Sequence, residues 1–328
     1  MYDIITIGDA VIDTHVNIDN ASVECDVDTR ACRLCFDYAS KIPITGSFQS
    51  LGGNAANVAC GVARLGLSSA IITTIGHDAN GRLIVEELKK NHVDTTLVAR
   101  NDSAPTRYSV VLNFRGERTI LSYHTKRKYV FPKKFPAIQW IYYTSMSEGF
   151  ETFEESLLEF LEAHPSVKLA YNPGSFQLKN SLPDVLNIIP RSELLIINLQ
   201  EAERVANTTL KKEKTESALI HKLLSLGARE VVITDAERGV IAGDEDEIWH
   251  MNIYPATVVS KTGAGDSLSA AYLAARQTNC DIHTALMWGA ANSAAVISAH
   301  GPQAGLLDRK KIKATIDRFP KIKPIKLS

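Results

Sequence analysis

The sequence has neither an excess of charge of one sign nor a long apolar run. Its 36 lysines and arginines nearly balance 37 aspartates and glutamates, so the formal net charge is only -1. A chain so close to neutrality has no overall field that attracts nucleic acid or an anionic membrane. No stretch approaches the roughly 18 apolar residues of a spanning helix, and residues 1–5 lack the basic flank of a signal peptide. We therefore expect a cytoplasmic protein with a small-molecule partner, and no nucleic-acid or membrane partner.

Cysteine is also scarce, with five residues in a chain of 328. So sparse and odd a set argues against a disulfide framework. Cys32 and Cys35 form a CxxC, but no second pair or nearby histidine completes a zinc set. We expect these two cysteines to serve local packing, with metal or redox use as the alternative.

Composition and apolar patterning indicate a globular α/β fold. Hydrophobic residues make up 45% of the chain and charged residues 22%, which are usual values for soluble domains. Short apolar runs, typical of covered parallel strands, are mostly separated by helical patterns such as 83–91 and 155–163. This alternation predicts βαβ units and a mainly parallel sheet. The predicted strands are 3–8, 70–75, 140–143, 167–171, 194–198 and 230–234.

Two stretches, roughly 14–49 and 106–128, interrupt the alternation. In the second, two apolar segments flank Arg115, Gly116 and Glu117, a pattern typical of a β-hairpin. Neither stretch is long enough for a core of its own. We therefore predict one domain over residues 1–328, with both segments forming a small β lid at one end of the sheet. Because exposed strand edges tend to pair, a homodimer through the lid is an alternative to a monomer.

The strongest local signal is the glycine-rich segment 261–267 (KTGAGDS), which directly precedes an apolar helix. Backbone N–H groups at such a helix start can hold a phosphate or the charge on a transferring phosphoryl group. Asp266 at this position could accept a proton from an attacking hydroxyl. The alternative is an ordinary helix start with an acidic residue in its first turn.

A second glycine turn, residues 52–57 (GGNAAN), also leads into a helix. Asn54 and Asn57 are three apart and fall on one helix face, where their amides could bind sugar hydroxyls. The alternative is that Asn54 caps the helix. The segment is not a GxGxxG, and neither glycine cluster has the GK[ST] of a P-loop.

Together these clusters resemble the ribokinase-like (PfkB) family of carbohydrate and nucleoside kinases along nearly the whole chain. Residues 52–57, continuing to the GHDANG of 76–81, are similar to the family's first signature, and TGAGDS at 262–267 is similar to its second. Both occur in the family's order, about 200 residues apart, which makes the resemblance specific. The family's intermediate Asn-x-x-Glu motif is similar to residues 198–201, at the end of a predicted strand.

The resemblance implies a three-layer, doubly wound fold with a β lid that transfers the γ-phosphoryl group of ATP to an alcohol. It implies that Asp266 is the catalytic base and that its helix start is the anion hole, formed by Gly263, Ala264 and Gly265. It implies that Asn198 and Glu201 order Mg²⁺, largely through water. The implied substrate-binding residues are Asp13, Gly52, Gly53 and Asn57, and the implied nucleotide-binding residues are Asn198, Thr234, Gly239 and Asn292. Asp13 could instead cap a turn.

Two neighbouring positions depart from the family pattern. Ser260 stands where many members have an aspartate associated with a monovalent cation, and a neutral hydroxyl is a poorer ligand. We therefore count ATP and Mg²⁺, but not K⁺, among the expected cofactors. Lys261 stands where many relatives have a small residue; its ammonium could replace the cation's charge, but we expect it in solvent because lysines usually keep their head groups there.

The acceptor that we expect is a small sugar such as ribose or fructose without a phosphate group, and a ribonucleoside is the alternative. A lid aromatic that stacks on a base would favour the nucleoside; the candidates are Phe36, Tyr38, Phe48, Tyr108 and Phe114. A basic lid residue that reaches the pocket would favour a phosphorylated sugar; the candidates are Arg107, Arg115, Arg118 and Lys126. The intact motif around Asp266 argues against a non-catalytic sensor, and the missing GxGxxG argues against an oxidoreductase.

Overall fold

The computed structural model describes residues 1–26, 32–101, 104–123 and 125–327. The strands in chain order are β1 (Tyr2–Ile7), β2 (Val11–Ile18), β3 (Ser22–Cys25), β4 (Cys32–Cys35), β5 (Ile44–Gly52), β6 (Ser69–Ile72), β7 (Thr74–Gly76), β8 (Ala99–Asn101), β9 (Tyr108–Phe114), β10 (Glu117–Tyr123), β11 (Ile138–Tyr143), β12 (Lys168–Tyr171), β13 (Leu194–Asn198), β14 (Val231–Thr234), β15 (Val240–Gly243), β16 (Ile248–Met251) and β17 (Ile325–Leu327).

The helices in chain order are α1 (Asn54–Arg64), α2 (Ala79–Lys90), α3 (Glu151–Ala163), α4 (Ser175–Asn180), α5 (Leu182–Ile188), α6 (Leu199–Val205), α7 (Leu210–Glu213), α8 (Glu216–Leu224), α9 (Ala264–Gln277), α10 (Ile282–Val296) and α11 (Arg309–Arg318). Short 3-10 turns lie at Ile189–Arg191 and Ala236–Arg238. Within the described ranges no helix has both the length and the apolar character needed to cross a bilayer.

The central sheet has the order β17-β16-β15-β14-β13-β12-β11-β1-β6. Its strands from β6 to β14 are parallel, and the last three form an antiparallel edge. Alternate residues of each strand face opposite layers: Ile5 and Ile7 pack with α3, α5, α6 and α8, whereas Ile4 packs with α1, α9, α10 and α11. Both faces are therefore covered, which explains the continuous apolar runs and confirms the predicted three-layer, doubly wound fold.

One predicted strand is wrong in detail. The run 70–75 is not continuous but divides into β6, which pairs with β1, and β7, which pairs with β8. The division falls at Thr73, whose hydroxyl accepts a hydrogen bond from the backbone N–H of Ala10 at 3.2 Å. This hydrogen bond takes the place of the next backbone–backbone hydrogen bond, and the pairing of β6 with β1 ends at Ile72.

The lid is a four-stranded sheet in the order β10-β9-β2-β5. The predicted hairpin is present, with Glu117 of β10 opposite Phe114 of β9. In the register of the sheet, Asp13 lies beside Ser109 and Ser50, and His15 lies beside Val111 and Phe48. Residues that face each other across a ladder project from the same side, so these side chains share one face of the lid.

The cysteines of the lid differ from the prediction. Cys25 in β3 and Cys32 in β4 lie directly opposite each other and form a disulfide, while Cys35 is a free thiol. The expectation that Cys32 and Cys35 serve local packing is therefore wrong. In a strand, residues three apart point to opposite faces, so Cys32 meets its cross-strand neighbour rather than Cys35.

A buried ion pair joins the lid to the central sheet. Asp9, just after β1, binds the guanidinium of Arg107, just before β9, and also accepts a hydrogen bond from the Tyr129 hydroxyl at 2.7 Å. Asp9 and Arg107 are only 4% and 3% exposed. Arg107, a candidate for reaching the substrate pocket, is thus a structural residue that fixes where the lid strands leave the sheet.

Helices α1 and α9 pack closely through small residues. A Cβ atom added to Gly61 of α1 would lie 2.5 Å from the Cβ of Ala270 in α9, closer than carbon atoms can approach. Both positions are buried. Glycine at this point therefore sets the separation of the two helices whose first turns carry Asn57 and Asp266.

We predict that Gly61→Val destabilises the protein by about 1–3 kcal/mol, because the added side chain overpacks the helix contact. Urea unfolding would measure the change in the free energy of unfolding. Arg64→Val, on the exposed side of the same helix, is the control and should change stability by less than about 1 kcal/mol. Equal stability of the two variants would contradict a close contact between α1 and α9.

Candidate active site

The candidate site lies where α9 begins. The helix starts at Ala264, earlier than the predicted apolar segment, because Gly263 adopts a left-handed conformation with φ 79° and forms the N-cap. A Cβ on Gly263 would approach the Cβ of Pro302 to 2.4 Å, so only glycine fits. Gly265 and Asp266 therefore belong to the first helical turn, whose backbone N–H groups have no partner within the helix. The helix start predicted from the motif is present, with Gly263 directly before it.

Asp266 is held by a hydrogen-bonded chain of side chains. The Nδ2 atom of Asn57 donates to Oδ2 of Asp266 at 2.7 Å. The Oδ1 atom of Asn57 in turn accepts from Gln303, at 2.6 Å, and Gln303 also donates to the carbonyl of Leu51. Asn57 thus orients the Asp266 carboxylate instead of standing free for a sugar hydroxyl.

The pKa of Asp266 is raised above the usual value of an aspartate. Burial is the main cause, and the negative charge of Asp13 acts in the same direction, while the hydrogen bond from Asn57 partly opposes the rise. A carboxylate with a raised pKa holds a proton more readily than an exposed one. This is the property that a general base needs when it must accept a proton from an alcohol.

The start of α1 brings Asp13 into the same region. Gly53, with φ 92°, is the N-cap of α1, so the alternative that Asn54 caps this helix is wrong. A Cβ on Gly52 would lie 2.3 Å from Oδ2 of Asp13, and one on Gly53 would lie 2.4 Å from the carbonyl of Asp9. The two glycines therefore let the Asp13 carboxylate lie against the backbone, where burial raises its pKa and the Ser109 hydrogen bond and the charge of Arg118 lower it.

Further along the same lid face, His15, Asn17 and Phe48 line a cavity of about 720 Å³, which we call the lid cavity. Its floor is the segment before α9, including Ser260 and Lys261, together with His300 and Gly301. On the lid side, the ring of His15 stacks on Phe48 with centroids 4.4 Å apart, and Arg118 donates to the Thr262 hydroxyl. The lid therefore contacts the glycine-rich segment directly.

A second cavity of about 830 Å³, the sheet-end cavity, is lined by Asn198, Glu201, Thr234, Gly265 and Asp266. Asn198 and Glu201 bind each other's backbone N–H groups at 3.0 Å and so cap α6. Burial raises the pKa of Glu201, and the negative charge of Asp266 raises it further, while the hydrogen bonds with Asn198 partly oppose the rise. A cation between the two carboxylates would relieve this effect.

These residues fit a magnesium ion that is held mostly through water and phosphate. Glu201 contributes charge and Asn198 an amide oxygen, which are the ligand types that Mg²⁺ prefers. Among the described residues no group of three or more His, Cys, Asp or Glu side chains could hold a metal by itself.

A narrower apolar cavity of about 280 Å³ adjoins Gly265 and includes Thr234, Gly239, Met251 and Leu268. Gly239 has φ 99°, and a Cβ there would lie 2.1 Å from the carbonyl of Met251. The structure does not bring Asn292 to this cavity. Its buried amide donates a hydrogen bond to the carbonyl of Ser267 and accepts one from the N–H of Leu307. Asn292 therefore joins α9 to the loop that follows α10, and its neighbour Ser293 lines the cavity instead.

The two residues that depart from the family pattern have distinct roles. The Ser260 hydroxyl accepts a hydrogen bond from the N–H of Thr262 at 3.3 Å and so shapes the turn before Gly263. The Lys261 side chain is 61% exposed, as expected, and its Nζ lies 4.0 Å from a carboxylate oxygen of Glu117 in the lid.

Three comparisons place these features among known proteins. The profile of the pfkB family carbohydrate kinases matches residues 18–309. Ribokinase of Staphylococcus aureus is 26% identical over 263 residues, which cover 78% of this chain and 84% of that protein. The 5-dehydro-2-deoxygluconokinase of Geobacillus thermodenitrificans is 27% identical over 318 residues, covering 89% and 94%. Arabidopsis thaliana ribokinase, solved with ribose and ATP, superposes with a TM-score of 0.78 at 20% identity and 96% and 98% coverage.

We predict that Asn57→Ala raises the pKa of Asp266 further, because it removes a donor that stabilises the ionised carboxylate. A ¹³C NMR titration of the aspartate side chains would measure the shift. Asn54→Ala is the control, since Asn54 lies in the same helical turn and lines the sheet-end cavity. An unchanged pKa in Asn57→Ala would mean that the hydrogen bond does not persist in solution.

Proposed function

The chain belongs to the pfkB family of carbohydrate kinases, and from that premise we propose that it transfers the γ-phosphoryl group of ATP to a hydroxyl of a small sugar, with Asp266 as the general base. The observation that carries the proposal is the position of Asp266 in the first turn of α9. There a proton acceptor and a set of free backbone N–H groups occupy the same helical turn.

The proposed reaction is an in-line displacement at phosphorus. The acceptor hydroxyl lies between Asp13 and Asp266, and Asp266 removes its proton as the oxygen attacks. The backbone N–H groups of Gly263, Ala264 and Gly265 stabilise the charge that develops on the transferred group. Closure of the lid excludes water, which limits the competing hydrolysis of ATP.

ATP would enter from the other side of Asp266. The apolar cavity with Thr234 and Gly239 suits a nucleotide base, and the sheet-end cavity suits the phosphates. Asn198 and Glu201 would hold Mg²⁺ there, whose charge neutralises phosphate oxygens during transfer. The proposal includes no K⁺, because Ser260 offers a neutral hydroxyl that already accepts a backbone N–H.

A nucleoside kinase is the second candidate. Phe48 is the one aromatic candidate of the sequence analysis that lines the lid cavity, and its stack with His15 provides a flat surface. Tyr38 is fully exposed and Phe114 is buried in the lid. The sugar is favoured because the side chains nearest Asp13 in the lid register are the polar Ser50 and Ser109.

We predict that Asp266→Asn lowers kcat by about 10²- to 10⁴-fold, the usual contribution of a general base. ATP consumption with Mg²⁺ would be measured over ribose, fructose, phosphosugars, a sugar acid, adenosine, cytidine and guanosine. Asp246→Asn, in the exposed turn before β16, is the control and should retain full activity. Because the pKa of Asp266 is raised, wild-type kcat should fall as the pH is lowered through that pKa. Turnover that survives Asp266→Asn would refute its role as the base.

We further propose a homodimer through the lid. β10 and β5 are the edge strands of the lid sheet, and their Leu121 and Ile44 side chains are 55% and 53% exposed. Exposed apolar edges favour pairing with another copy. Sedimentation equilibrium should give twice the 35.9 kDa of one chain, and Leu121→Asp should shift the mass towards the monomer. A wild-type mass of 35.9 kDa would contradict the dimer.

A further inference from the structure

Arg118 lies on the inner face of the lid. Within the hairpin Arg118 pairs with Asn113, and Asn113 in turn pairs with Asn17 of β2. The Asn113 amide donates a hydrogen bond to Oδ1 of Asn17 at 3.1 Å. This row is four residues along β2 from Asp13, so both project from the same face. The Arg118 guanidinium reaches across the cleft to the Thr262 hydroxyl and lowers the pKa of Asp13 by its charge.

The positive charge of Arg118 has no carboxylate partner at contact distance among the described residues. The protein group that it does contact, the Thr262 hydroxyl, is neutral and accepts one of the five N–H donors of a guanidinium. Arg118 is therefore unlike Arg107, whose charge is neutralised by Asp9 inside the core. A guanidinium with spare donors facing a cavity is suited to bind a planar or tetrahedral anion.

The rest of the lid cavity adds to this positive character. Lys261, His15 and His300 line it together with Arg118, and among the described residues of its lining only Glu117 is acidic. Glu117 is 81% exposed and lies 4.0 Å from the Lys261 Nζ, so it sits at the rim and is loosely paired. Burial and the charges of Arg118 and His300 lower the pKa of His15, which leaves Arg118 and Lys261 as the permanent charges.

We propose that the acceptor is an anionic sugar, carrying a phosphate or a carboxylate, and that Arg118 binds this group with support from Lys261. The proposal rests on the proposed kinase function and replaces the uncharged sugar expected from the sequence. Two residues along a strand span about 7 Å, so the distance along β2 from Asp13 to His15 is close to the length of a sugar ring. A hydroxyl between Asp13 and Asp266 thus leaves the far end of the sugar in the lid cavity.

The cavity and its position fit such a ligand. A volume of about 720 Å³ is within the usual range for small-molecule sites. Arg118 belongs to the lid and Thr262 to the main body, so an anion bound here would contact both and favour the closed state. Binding energy from the non-reacting end of the acceptor would then assist the chemical step.

The rival role for Arg118 is to contact the phosphoryl group in transfer. Arg118 lines the lid cavity, whereas Asn198 and Glu201, the residues suited to the ATP phosphates, line the sheet-end cavity. The two roles differ in kinetics. Loss of an acceptor-binding group raises the KM of the acceptor, whereas loss of a group that acts on the transferred phosphoryl lowers kcat for every acceptor.

The test is Arg118→Gln, assayed with matched pairs: fructose and fructose 6-phosphate, ribose and ribose 5-phosphate, and glucose and gluconate. For the preferred pair, the wild type should have a KM at least about 10-fold lower for the anionic member. Arg118→Gln should raise that KM about 10- to 100-fold, which is the usual effect of losing a charged hydrogen bond. It should change the KM of ATP and the KM of the uncharged member by less than about twofold. Arg115→Gln, at the exposed turn of the same hairpin, should match the wild type.

Lys261→Gln should raise the KM of the anionic acceptor less than Arg118→Gln does, because Lys261 is exposed and lies close to the carboxylate of Glu117. Arg118→Lys, which keeps the charge but loses the fork of donors, should give an intermediate KM. It also provides a measurable variant if Arg118→Gln does not fold. The phosphate and carboxylate pairs identify which anion the cavity selects.

The proposal is overturned if the uncharged members are preferred, or if Arg118→Gln lowers kcat for all acceptors at unchanged KM. Calorimetric titration of the same sugars without ATP separates this inference from the kinase function. Binding of an anionic sugar that weakens in Arg118→Gln supports the anion site even if no acceptor is phosphorylated. The anion site is refuted if none of the anionic sugars binds, or if Arg118→Gln does not weaken their binding. In that case, Asp266-dependent turnover of an uncharged sugar would still support the kinase function.

Discussion

The contact between α1 and α9 is the constraint on which the site depends. The two helices approach as closely as Gly61 and Ala270 allow, and their first turns therefore converge. Asn57 on one helix and Asp266 on the other can then form a hydrogen bond of 2.7 Å. Such a bond needs its donor and acceptor within about 2.7–3.2 Å and well aligned. The orientation of the proposed base thus depends on the packing of small buried residues in the core.

The lid has its own anchor in the buried pair of Asp9 and Arg107. Asp9 follows the central strand β1, and Arg107 precedes the lid strand β9, so the pair fixes two of the points where the chain enters the lid. Removing either partner would leave an unpaired charge in the core, which is strongly unfavourable. Arg107 thus anchors the start of β9, and Arg118 lies near the turn of the same hairpin.

The sequence predicts the fold and the helix start that carries Asp266, because both depend on local patterns. Apolar runs reveal covered strands, and Gly263 reveals a helix start that must accept a close contact with Pro302. The disulfide of Cys25 and Cys32 was missed because its pairing depends on strand register. The placement of Asn292 was missed for a related reason, since which side of a helix faces a cavity is decided by packing.

The basic lid residues show the same limit. Arg107 and Arg118 are both arginines in the second lid segment, and nothing in their neighbours distinguishes the buried one from the one that faces the cavity. The difference is in partners: Asp9 neutralises Arg107, whereas Arg118 faces the neutral Thr262. Only the tertiary structure supplies that information.

Electrostatic coupling connects the lid to the proposed base. The charges of Asp13 and Asp266 oppose each other's ionisation, since Asp13 raises the pKa of Asp266. Arg118 lowers the pKa of Asp13 when the lid is near, and it therefore favours a charged Asp13 while adding a positive field over the site. The residue that is proposed to bind the anionic group of the acceptor therefore also offsets part of the negative charge of the carboxylate pair.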